Sequence, residues 1–138
     1  MVIWLLTLLF GSGANITPVP VHIPPGETFF VAPRALVPVS DAMRVEIGIG
    51  TSNAETRKEV LSGALTLHDI GDVKVAVCRS NTDCLALSYT GTYFSDESYG
   101  FSFEGNGPQF ESSRFVEVRV TVDRTLEKTV IHWSNYTQ

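Results

Sequence analysis

Three histidines, two cysteines and fifteen acidic side chains are the raw material for chemistry in this 138-residue chain. His22, His68 and His132 lie in three separate segments, without the tight spacing by which metal ligands usually announce themselves. His68, beside Asp69, and His132, on the polar face of the last strand pattern, read as solvated or hydrogen-bonded residues. No metal is expected. The acids Asp96, Glu97, Glu104 and Glu111 lie close together among aromatic residues. A paired-carboxylate hydrolase sets two acids about 5–10 Å apart in a cleft. A small β domain supplies little concavity, so these four read as solubilising charges or as an acidic face for a basic partner. No D-x-D-x-D-G calcium loop is present.

Two glycine patterns approach catalytic or cofactor motifs and fall short. Gly48-Ile-Gly50 follows a strand pattern, but the third glycine of a dinucleotide fingerprint is missing and no parallel βαβ unit surrounds it. Gly48 reads as an outer-face strand residue and Gly50 as part of the turn that follows. Gly100-Phe-Ser102-Phe-Glu104-Gly105 comes near the nucleophile elbow G-x-S-x-G, with its last glycine one place late. An elbow needs a strand-to-helix turn, whereas Phe101 and Phe103 continue a strand, so Ser102 reads as a solvent-side strand residue. No cofactor is expected. A small hydrolase or metal-dependent enzyme is the least supported function, because no motif is complete.

Cys78 and Cys84 enclose the polar loop Arg79–Asp83, between the strand patterns Val73–Val77 and Leu85–Tyr89. A hairpin there would set the cysteines opposite each other, near the separation a disulfide needs. Closing so small a ring contributes about 2–2.5 kcal/mol in the chain-entropy model. Reduced thiols are the competing reading, since the bond depends on an oxidising compartment. The opening residues bear on that compartment. Met1–Phe10 is apolar except for Thr7 and carries no charged side chain; Gly11-Ser12-Gly13-Ala14 follows, with small residues where signal peptidase prefers them. Residues 1–14 are therefore read as a signal peptide cleaved after Ala14, and residues 15–138 as one periplasmic or extracellular domain. No Lys or Arg precedes the apolar run. The alternatives are a short hydrophobic anchor and an apolar first core strand. Asn15-Ile-Thr17 and Asn135-Tyr-Thr137 are formal glycosylation sequons that matter only in a eukaryotic source.

The elements that must position these residues are mostly strands. The length suits a single domain. A hydrophobic share of 43% and a charged share of 18% argue against disorder, and a net charge of −5 argues against general nucleic-acid binding. The longest apolar stretch is shorter than an ordinary membrane span, so membrane contact is expected only if residues 1–14 are retained. Pro18, Pro20, Pro24, Pro25, Pro33 and Pro38 make the first part of the domain extended, suited to wrapping an edge. Val19, Val21 and Ile23 alternate as an edge strand, and Phe29-Phe30-Val31 reads as a short apolar anchor. Period-two alternation then marks Met43–Ile49, Val73–Val77, Phe115–Asp123 and Thr129–Tyr136. Gly63–Leu67, Leu85–Thr90 and Tyr99–Glu104 are further strand candidates. One short helix is admitted by the capping box Ser52-Asn-Ala-Glu55 and a stop at Gly63, although its apolar stripe is only Ala54 and Leu61. The expected fold is an all-β antiparallel β-sandwich, Ig-like or jelly-roll-like, of about seven to nine strands.

The densest feature is aromatic. Eight of the fourteen aromatic residues fall between Tyr89 and Phe115. Alternation sends Phe101 and Phe103 inward and leaves Tyr93, Phe94 and Tyr99 beside a Ser95-Asp96-Glu97 loop. The bland role for such rings is to cap one end of the core. Exposed aromatics among glycine and serine are also the composition of protein-recognition loops. The expected function is a non-catalytic, exported binding module that engages another protein as an inhibitor, immunity factor or accessory subunit. Its contact residues would be Tyr93, Phe94 and Tyr99, with Asp96 and Glu97 as the rim. A membrane-tethered structural subunit retaining residues 1–14 is the alternative.

Overall fold

The alternating segments become the strands of two antiparallel sheets in a computed structural model of the chain, which describes residues 14–135 apart from Pro18, Val39 and Ser112. In chain order the strands are β1 (Ala14–Asn15), β2 (Val21–Ile23), β3 (Gly26–Leu36), β4 (Ala42–Thr51), β5 (Val73–Ser80), β6 (Asp83–Ala86), β7 (Ser88–Phe94), β8 (Ser98–Asn106), β9 (Phe115–Val122) and β10 (Leu126–Asn135). A helix α1 (Ala54–Ser62) and a 3-10 helix (Leu67–Ile70) lie between β4 and β5. The larger sheet runs β1-β10-β4-β8-β7, with β2 also on β10; the smaller runs β3-β9-β5-β6. The fold is the expected all-β sandwich, with ten strands among the described residues because β1 and β2 are separate short pieces and one expected strand divides.

The inner faces are built by the expected alternation. Val45 and Ile47 stand opposite Phe103 and Phe101 across β4 and β8, and all four are essentially inaccessible. Val118 and Val120 of β9 face the same core beside Val77 and Val75 of β5. Trp133 packs inward from β10, and its indole N–H donates to the Met43 thioether at 3.4 Å. That bond gives the one polar atom of a buried ring a partner.

Several local readings are corrected. The stretch Leu85–Thr90 is two strands, because the chain leaves the smaller sheet after Ala86, buries Leu87 and enters the larger sheet at Ser88. Gly63–Leu67 is not a strand: Gly63 ends α1 with φ +76°, and the 3-10 helix starts at Leu67. The helix cap sits one residue later than expected. Asn53 Oδ1 accepts from Thr56 N, and Thr56 Oγ1 accepts from Asn53 N, both at 2.9 Å. No residue of α1 is buried, so caps rather than packing hold it. Phe29-Phe30-Val31 lies within the eleven-residue edge strand β3, where Phe30 packs on the core and Phe29 and Val31 face solvent. Gly50 falls inside β4, after a bulge at Ile49, rather than in a turn. Ser102 does lie on the outer side of its strand, opposite Glu46, but is only 5% exposed.

Cys78 and Cys84 face each other across the β5–β6 hairpin and are joined by a disulfide. The hairpin is tighter than the expected five-residue loop, with Ser80 already paired to Asp83. Arg79 holds both Asp83 oxygens at 2.9 Å and also donates to Ser113 Oγ at 3.1 Å, tying the hairpin to the chain before β9. The reading of residues 1–14 as a leader falls, except for Ala14, outside the described residues. Among those described, no helix is long and apolar enough to cross a membrane.

Candidate functional site

A groove of about 670 Å³ opens on the outer face of the larger sheet. Its floor is the polar side of the two central strands: Glu46 from β4, and Val130 and His132 from β10. Glu46 and His132 are direct cross-strand partners, so the same alternation that buries Val45, Ile47, Ile131 and Trp133 delivers both to the opposite face. One wall comes from the start of the domain. Asn15 pairs with His132 on β10, and Ile16 N and Thr17 N both donate to the Ile131 carbonyl. Thr17 Oγ1 in turn accepts from Ile131 N at 2.8 Å, so a side chain stands in for a ladder carbonyl.

The other wall is the β7–β8 hairpin with the end of β4. Ser95 builds the hairpin turn: its hydroxyl donates to the Ser98 carbonyl at 3.0 Å and accepts from the amides of Glu97 and Ser98. Ser52 N donates to the Glu97 carbonyl at 3.2 Å, fixing the turn to the chain after β4. Tyr93 lies across this wall with its hydroxyl 3.0 Å from Ser98 Oγ. Glycine makes room for it, since a Cβ at Gly48 would stand 2.7 Å from the Tyr93 hydroxyl. Tyr99 likewise covers Gly50, where a Cβ would meet its ring at 2.6 Å.

The electrostatics follow from this packing. Burial pushes the Tyr93 hydroxyl up to about 12; the Ser98 hydrogen bond opposes the rise and the Glu46 charge adds to it. Burial also lowers the pKa of His132, with Glu46 and Glu97 pulling it up and Arg44 pushing it down. Its ring is therefore neutral at neutral pH. Nδ1 sits 2.9 Å from Asn15 Oδ1; with that oxygen as acceptor, Nδ1 carries the proton and Nε2 presents a lone pair. Arg44 Nε lies 3.7 Å from Glu46 Oε2, an ion-pair contact too long for a hydrogen bond.

Of the five expected contact residues, Tyr93 and Glu97 line the groove. Asp96 is exposed at the hairpin tip, and Phe94 pairs with Tyr99 at its base. The three rings are half-buried rather than exposed. Glu104 lies on β8 opposite Arg44, and Glu111 in the β8–β9 connection, so the four acids do not converge. The histidines are also apart: His22 contacts Glu127 at 3.4 Å, and His68 lies in the 3-10 helix. Among the described residues no group of His, Cys, Asp and Glu could hold a metal ion. Sequence reasoning missed Asn15, Thr17, Glu46 and Lys128 as groove residues and read His132 as a solvated or hydrogen-bonded residue, without its place in a groove. The polar face of each strand was legible, but not which strands stand side by side. Comparison with protein-family models, curated proteins and solved structures gave no match.

Proposed function

We propose that the chain is a non-catalytic binding module, exported to a periplasm or extracellular space, that engages another protein through this groove and the hairpin beside it. The observation that carries the reading is the rigid β7–β8 turn, which presents Asp96 and Glu97 to solvent at the mouth of a preformed groove. A surface already held in its binding geometry loses little conformational freedom on association. The Cys78–Cys84 disulfide is compatible with an oxidising compartment. Roles as an inhibitor, immunity factor or accessory subunit all fit such a surface.

The rings are poor places to test it, because replacing Tyr93 or Tyr99 would unpack the wall as well as the contact. Asp96 and Glu97 are exposed, so charge reversal there leaves the fold intact. A partner is isolated by affinity capture from native extract and identified by mass spectrometry; its affinity is then compared for the wild-type chain and the Asp96→Arg/Glu97→Arg variant. Binding should weaken by about tenfold or more, with an unchanged melting temperature, as for truncated charge contacts. Equal affinities would reject the reading.

A further inference from the structure

We infer that the groove holds a neutral, hydroxyl-rich chain, a short oligosaccharide, with Glu46 and His132 as the central hydrogen-bonding pair of its floor. The inference rests on the groove being the contact surface proposed above, and it names what fills it.

The charges around the groove favour a neutral ligand. Glu46 has Arg44 3.7 Å away, Glu97 on one side of the groove is offset by Lys128 on the other, and His132 is neutral. The lining therefore carries both signs, Glu46 and Glu97 against Lys128, and Arg44 beside Glu46 offsets part of the acidic charge. An ammonium entering here would meet Lys128, and the Glu46 carboxylate already has the Arg44 cation beside it. A phosphate or carboxylate would meet Glu46 and Glu97. Either way a like charge would be brought into a partly desolvated site, which costs binding energy.

The hydrogen-bonding groups of the groove favour hydroxyls. His132 Nε2 and the Glu46 carboxylate accept. The Asn15 amide nitrogen donates, and so does the Thr17 hydroxyl, whose oxygen is already accepting from Ile131 N. Tyr93 and Ser98 share one hydrogen bond between two hydroxyls, which leaves them one proton to donate. Donors and acceptors are thus interleaved along the groove. A hydroxyl is both donor and acceptor, so a polyhydroxylated ligand matches each kind without introducing a charge. An apolar segment would leave these groups unpaired, at a cost for every one desolvated.

The groove's shape suits a sugar as well. Pro20, Ile49, Val130 and the Tyr93 ring give the groove apolar patches that suit the C–H faces of a sugar ring. Its volume lies within the range of about 300–1,000 Å³ usual for small-ligand sites. The Ser95 turn and the Thr17–Ile131 bond fix both walls in advance.

Such a chain could be a free polysaccharide or a glycan carried by the partner protein, and two arms separate these sources. In the first, the full chain is titrated with neutral tetrasaccharides of glucose, mannose and N-acetylglucosamine, and with N-acetyl-lysine amide and N-acetyl-glutamate amide, while the His132 ring signals are followed by NMR. At least one sugar at about 5 mM should shift His132 saturably, and Glu46→Gln should weaken it about tenfold, the usual effect of losing a charge-assisted hydrogen bond. The charged amides should leave His132 unmoved. In the second arm the captured partner is enzymatically deglycosylated; loss of binding assigns the sugar to the partner, and retained binding alongside a sugar-induced shift assigns it to a free polysaccharide. A His132 signal that moves with a charged amide but with no sugar overturns the inference, as does one that moves with nothing. If no sugar binds while Asp96→Arg/Glu97→Arg still abolishes capture, the saccharide fails and the binding module stands. If a sugar binds while capture ignores those charges, the protein-contact reading is the one that falls.

Discussion

His132 is a base whose folded state favours the neutral ring, and that preference sets a pH dependence. An ordinary histidine titrates near 6.5, and burial lowers this one. Between its lowered folded value and 6.5 the unfolded chain binds more protons than the folded one. The contribution of His132 to stability is therefore complete above about pH 6.5 and is lost as pH falls through the folded value. Urea unfolding at about pH 7.5 and pH 5 should show the drop, and His132→Gln should flatten it relative to the wild-type chain. An unchanged slope in that variant would reject His132 as the source of the acid sensitivity. At the residue scale the sequence marked His132 and Glu46 as polar-face residues, through the alternation around each. Nothing near either residue in the chain shows that they become neighbours.

The elements show where local chemistry decides structure and where packing overrides it. The β5–β6 hairpin is short-range: turn residues between two apolar runs place Cys78 against Cys84 with no help from distant parts of the chain. Reduction of that disulfide, or the Cys78→Ala/Cys84→Ala variant, should lower stability by about 2–2.5 kcal/mol with no change of fold, because the bond closes a small ring. Denaturant midpoints with and without reductant measure it; a loss several times larger would mean that the bond orders more than its own hairpin. Leu85–Thr90 shows the opposite case. Its residues suit a strand throughout, yet the chain crosses between sheets at Leu87 because that side chain is buried as β6 ends and β7 begins. Phe29 and Val31 likewise have the composition of a core anchor but stand on the solvent face of an edge strand, with the Arg119 guanidinium 4.3 Å from the Phe29 ring centroid.

At the scale of the whole molecule the start of the domain is part of the site. Asn15, Thr17 and Pro20 form one wall of the groove, and Ile16 and Thr17 are bonded to β10. If the chain is exported as proposed, cleavage after Ala14 takes away the Ala14–Trp133 pairing and the buried Ala14 side chain, while Asn15, Ile16 and Thr17, which carry the contacts to β10, belong to the part retained. Intact-mass measurement of the natively produced protein should then give a chain that begins at Asn15. A mass that includes Met1–Ala14 would contradict cleavage and fit a membrane-tethered subunit. The sequence by itself determined the architecture: period-two alternation, prolines kept out of the central strand patterns and turn chemistry are local properties, and together they specify an antiparallel sandwich. Only the tertiary structure decided the groove. Its floor and wall join residues 117 positions apart, Asn15 and His132, and their meeting depends on which strands pair. That pairing is settled by how the buried faces pack against one another, and the exposed side chains that make the site carry no local signal of it.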